Sequence, residues 1–203
     1  MNTKFIPALI LIATTAFAQE IQQVPAAEAG KIARKVTAAL GSPTDAPFAV
    51  DPDLEKPAGI KASGETGLLA LPDKKLKPES LAAAGQDVTP LGHLWMRNIV
   101  LAVNNAAPDP AKLRVIGIAD NDKEVKVDVY YLGVTKSEAG ALDLGIFGKG
   151  KDALVKVPLV KTDAAASSTP IALDGHKEGE NTGVLVITVF GSYKADVIVT
   201  KPQ

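Results

Sequence analysis

VLVITVF-GS-YKADVIV, running from Val184 to Val199, decides the fold. Two runs of β-formers flank Gly191-Ser192, the pattern of a two-residue hairpin with glycine first in a type II′ turn. That register sets Phe190 opposite Tyr193, Thr188 opposite Ala195, Val186 opposite Val197 and Val184 opposite Val199. The face they share is almost wholly apolar. On the other face Leu185, Ile187 and Val189 stand opposite Ile198, Asp196 and Lys194, half apolar and half charged. An isolated hairpin is marginal in water, so this one must lie on further strands.

Working back from the hairpin, strand candidates recur at Leu94–Val103, Leu113–Ala119, Glu124–Leu132, Leu142–Phe147, Ala153–Val160 and Pro170–Leu173. Val125, Val127, Val129 and Tyr131 alternate with Lys126, Asp128 and Tyr130, which predicts Tyr130 outward and Tyr131 inward. Turn chemistry separates the runs at Asp120-Asn121-Asp122, Gly148-Lys149-Gly150 and Asp174-Gly175. No helix-length pattern lies between them, so parallel crossovers are excluded and pairing is antiparallel.

The N-terminal third reads differently. Lys4, the apolar run FIPALILIATTA and Ala16-Phe17-Ala18 have the layout of a secretory signal peptide cleaved near Ala18. Ala29, Ile32, Ala33, Val36 and Leu40 recur at helical spacing and Gly41 follows as a stop, predicting a short amphipathic helix. Pro43, Pro47, Pro52 and Pro57 then mark a linker or a strap over the surface. Gly67–Leu71 reads as a short strand, and Pro78 to Gly85 as one or two helical turns. The expected organisation is a signal peptide over 1–18, helix and Pro-rich linker over 19–59, and an antiparallel β-sandwich of immunoglobulin-like size over 60–203.

Composition narrows the chemistry. Lysine plus arginine number 22 against 23 acidic residues, so no nucleic-acid partner or anionic membrane surface is indicated. Cysteine is absent, which removes disulfides, thiolate nucleophiles and cysteine metal sites. With no Asn-x-Ser/Thr acceptor either, the chain reads as a bacterial periplasmic or secreted protein without a transmembrane segment. Gly145-Ile-Phe-Gly-Lys-Gly150-Lys151 begins like a phosphate-binding loop, but Asp152 stands where Ser or Thr must hold the metal and a strand follows instead of a helix. The two histidines, His93 and His176, are far apart in sequence, and no serine sits in a Gly-x-Ser-x-Gly setting.

No catalytic constellation emerges, and the chain is expected to be a non-catalytic exported protein without a required cofactor; a hydrolase with carboxylate or His-assisted chemistry is the remaining alternative. Two recognition surfaces are expected. Leu185, Ile187 and Val189 form an apolar patch for another exported protein. Alternatively, Asp120, Asp122, Asp174 and Glu178 gather at hairpin tips in a module for calcium or carbohydrate.

Overall fold

The computed structural model describes residues 21–62, 65–120 and 123–202. In chain order the elements are β1 (Gln22–Gln23), α1 (Ala26–Leu40), β2 (Ala58–Lys61), β3 (Gly67–Pro72), α2 (Pro78–Ala82), β4 (Thr89–Arg97) and β5 (Val100–Leu101). After a 3-10 turn at Pro110–Lys112 come β6 (Arg114–Asp120), β7 (Lys123–Lys136), β8 (Leu142–Phe147), β9 (Ala153–Pro158) and β10 (Val160–Lys161). The chain closes with β11 (Ile171–Lys177), β12 (Thr182–Val189) and β13 (Tyr193–Thr200).

The fold is an antiparallel β-sandwich. An eight-stranded sheet runs β1-β2-β3-β4-β7-β8-β9, with β6 beside β7. Strand β7 is 14 residues long and carries β6 along its first half and β8 along its second, both on the edge away from β4. The second sheet runs β10-β13-β12-β11, and β5 pairs with the other end of β13. Between the sheets Leu94, Met96, Tyr130, Leu132, Val134, Leu144 and Ile146 meet Ile171, Leu173, Ala195, Val197 and Val199.

The eight-stranded sheet is apolar on its outer face as well, and this explains its uninterrupted hydrophobic runs. Leu68 and Ala70 enter the main core while Leu69 and Leu71 point away from it, and Leu94-Trp95-Met96 divides likewise. Strands covered on both faces need no polar alternation. The outer cover is α1, which lays Ala29, Ala33 and Val36 on Leu69, Leu71, Trp95, Val127 and Val129. Spacings of four and three residues hold those side chains on one helical face. Strand β1 pairs with β2, so the N-terminal end of α1 is tied to the sheet.

The Pro-rich segment after Gly41 is a strap across the same face. Asp45 pairs with Arg114, and Phe48 meets Tyr131 and Phe147 edge-on at centroid distances of 5.8 and 5.2 Å. Pro52 bridges to Asp73, and Leu54 packs on the outer cluster.

Three expectations need correction. The hairpin has a three-residue turn, Phe190-Gly191-Ser192, so Val189 faces Tyr193, Ile187 faces Ala195 and Leu185 faces Val197. Phe190 causes the lengthening: its ring is buried, its N–H donates to Pro170 and its carbonyl accepts from Ser167. With both backbone groups committed there, it adopts φ 50° and cannot join the ladder. A left-handed conformation costs a non-glycine residue about 1–2 kcal/mol, which burial of a phenyl ring offsets. The one-residue slip inverts β12 alone, since Ala195, Val197 and Val199 keep their inward direction. Second, Asp174-Gly175 is no turn; β11 continues through it, and the chain reverses after Lys177. Third, Tyr130 points into the main core and Tyr131 to the outer face, because the strap and α1 make the outer side of this sheet a second interior.

Candidate binding groove

Beside α1 the cover is incomplete. The helix presents Ile32 and Val36 one turn apart along the edge of its buried stripe, and Lys31 and Lys35 one turn apart next to them. Facing them are Leu69 of β3, Trp95 of β4, Ile118 of β6 and Val127 of β7. Between these walls lies a groove of about 460 Å³, within the roughly 300–1,000 Å³ typical of small-ligand sites. Its interior is mainly apolar. Glu28, Lys31, Lys35, Lys61, Glu65 and Arg97 stand around it.

The charged rim is unevenly paired. Arg97 Nη2 lies 2.6 Å from Glu65 Oε2, and the Asn98 amide donates to the Glu65 carbonyl, fixing the chain beyond the β2–β3 turn. Lys31, Lys35 and Lys61 have no carboxylate partner among the described residues. Trp95, the only tryptophan in the chain, is 2% exposed and its Nε1 has no hydrogen-bond partner among the described residues. An unsatisfied buried donor costs about 1–3 kcal/mol.

Next to Trp95 lies a closed polar cluster. The ring of His93 meets Trp95 edge-on at 5.9 Å and Tyr131 at 4.7 Å, and its Nδ1 is buried without a hydrogen-bond partner among the described residues. Burial pushes the imidazole down to about 4; the nearby Asp73 charge opposes this shift and the Arg114 charge adds to it. Asp73 is itself buried and accepts from the Asp51 and Lys75 amides. Burial raises the Tyr131 phenol, while the Arg114 guanidinium beside it and its own hydrogen bond hold the Asp45 carboxyl below the usual range. His93, Asp73 and Tyr131 do not line the groove.

The residues singled out from sequence fall elsewhere. Leu185, Ile187 and Val189 are 2%, 0% and 0% exposed, facing the first sheet across the main core, so the apolar patch expected on an outer face is interior. The slipped register is the cause. Asp174 lies within β11 with its carboxylate accepting from the Gly175 amide, and Glu178 is exposed in the following turn. Asp120 ends β6; its side chain, and the whole of Asp122, lie outside the described residues. Among the described residues no group of three or more His, Asp or Glu is placed to share a metal ion. His176 and Asp174 instead border a smaller recess of about 130 Å³ where Ile21, Ile60 and Leu68 approach Leu185 and Val199. His93 lies on the outer side of the first sheet and His176 on the second, so they do not converge. Gly148 to Asp152 form the turn between β8 and β9, and Gly150 N–H donates to the Asp45 carbonyl of the strap.

Sequence reasoning missed the groove because five separate segments build it. The legible hint is the paired spacing of Ile32-Val36 and Lys31-Lys35, an apolar strip and a cationic strip side by side on one helix. No family model, curated protein or solved structure matches this chain.

Proposed function

We propose that the chain is an exported, non-catalytic binding module that holds a small, largely apolar ligand between α1 and the outer face of the eight-stranded sheet. The observation that carries this reading is the groove itself, floored by Leu69, Trp95 and Val127 and walled by Ile32 and Val36. Its size and lining suit a ligand, and its polar equipment is Thr66 and a charged rim. The non-catalytic part is supported by the burial of His93 beside Tyr131, where it does not line the groove, and by the separation of the two histidines. Export rests on the leader-like residues Met1–Ala18.

A thermal-shift and tryptophan-fluorescence screen of small apolar compounds tests the reading. A ligand at a hundred times its dissociation constant adds about 2.7 kcal/mol of stability. It should also move Trp95 emission, and Ile118→Phe, which fills the groove, should abolish both effects. Ligands that stabilise the protein equally in Ile118→Phe would place binding elsewhere.

A second reading, contact with another exported protein, is favoured by the outer face of the second sheet. Val160 and Ile198 are 59% and 38% exposed there, on the same side as the Lys194–Asp196 ion pair. A partner using this face would be released by Val160→Lys with Ile198→Lys and unaffected by Ile118→Phe.

A further inference from the structure

The charges around the groove select among apolar ligands. Four cations, Lys31, Lys35, Lys61 and Arg97, stand against two carboxylates, Glu28 and Glu65. Glu65 is taken up by Arg97, so the three lysines are left with only Glu28 among the rim acids. The whole chain carries a formal charge of −1, so this cationic excess is local. We infer that the groove takes a free single-chain amphiphile with an anionic head, a medium-chain carboxylate in its simplest form. This inference rests on the binding reading above and specifies its ligand class.

The arrangement distinguishes such a molecule from its relatives. An alkyl chain fits against the partly exposed Val24, Ile32 and Ile118, where burial contributes about 25 cal/mol per Å² of apolar surface. A carboxylate at the mouth meets unpaired ammonium groups, whereas a cationic head meets repulsion. A bilayer surface is a poorer fit. Membrane-docking faces project their apolar side chains outward, and here the apolar groups lie inside a charged rim.

Every described element lies beyond Gln19, so a chain beginning there contains the whole described fold and serves as the test protein. Dodecanoate, dodecyltrimethylammonium and dodecyl maltoside, each below its micellar concentration, are titrated by calorimetry and Trp95 fluorescence. Dodecanoate should bind one per chain, at least about tenfold tighter than the cationic probe. The triple variant Lys31→Glu, Lys35→Glu, Lys61→Glu should reverse that order while keeping the wild-type circular dichroism. Raised salt should weaken dodecanoate and leave the maltoside unchanged. If all three probes bind alike, or the triple variant keeps the wild-type order, the anionic class is overturned and the groove reading stands. If none of the three shifts Trp95, both fall. Uptake from dodecanoate-doped vesicles without binding of the monomer would overturn the free-amphiphile assignment.

Discussion

Acid should loosen this protein through His93, and the size of the effect follows from its surroundings. The imidazole is 4% exposed, wedged between the rings of Trp95 and Tyr131, and held neutral by burial down to about pH 4. In the unfolded chain it protonates near 6.5. Between those values the unfolded state binds the extra proton, so stability rises with pH through this window. The contribution is complete above about pH 6.5 and is lost as pH falls toward 4. At pH 4.5 the loss is on the order of 2–3 kcal/mol, which corresponds to a melting temperature about 5–10 °C lower for a chain of this length. His93→Phe removes the titration while keeping a flat ring between Trp95 and Tyr131. Urea unfolding followed by Trp95 emission at pH 7, 6, 5 and 4.5 should give a wild-type midpoint that falls relative to the variant by about 1 M. His93→Gln, which is smaller and polar, should show the same flattened difference if the phenyl ring fits poorly. Midpoints for wild type and both variants that move in parallel from pH 7 to 4.5 would refute the reasoning.

Three further predictions concern other parts of the structure. Asp128 faces the same side as Tyr130, and burial raises its carboxyl to about 6. Its folded value lies above the unfolded one, so it costs stability as pH rises from about 4 to 6; Asp128→Asn should add about 1 kcal/mol at pH 7, discounted for partial exposure, and nothing at pH 4. The two glycines Gly30 and Gly92 should respond oppositely to alanine. Gly30 is mid-helix with only the Arg34 side chain 3.8 Å from a new methyl, so Gly30→Ala should stabilise by up to about 1 kcal/mol. Gly92 has φ +150° at the bulge in β4, and a methyl would strike the Leu71 carbonyl, so Gly92→Ala should destabilise by more than about 2 kcal/mol in denaturant titration. Finally, the hairpin register is readable by truncation: Ile187→Ala should cost about 2–5 kcal/mol and Ile198→Ala under about 1. Equal costs would contradict the three-residue turn.

Particular residues show where sequence was sufficient and where it failed. The antiparallel sandwich was legible because turn residues punctuate short β-rich runs, and α1 because Ala29, Ala33 and Val36 keep helical spacing up to Gly41. The hairpin pairing was legible, but its register was not. A Gly-Ser pair favours a two-residue turn locally, and only the distant contacts of Phe190 with Pro170 and Ser167 override it. Tyr130 was misplaced for a related reason, since alternation assumes one wet face and here α1 and the strap cover the other. Strand β2 escaped notice because Ala58-Gly59-Ile60-Lys61 has little β-propensity and is held by pairing on both sides.

The order in which the two sheets are spelled along the chain has a cost during synthesis. Every strand of the larger sheet is complete by Pro158, while the smaller one, apart from β5, is contributed by residues 160–200. Until those last residues emerge, an oily surface the width of a whole sheet has nothing to lie against, and β5 waits for a partner that is among the final residues made. Such a protein gains from being kept from committing to a structure until its full length is released.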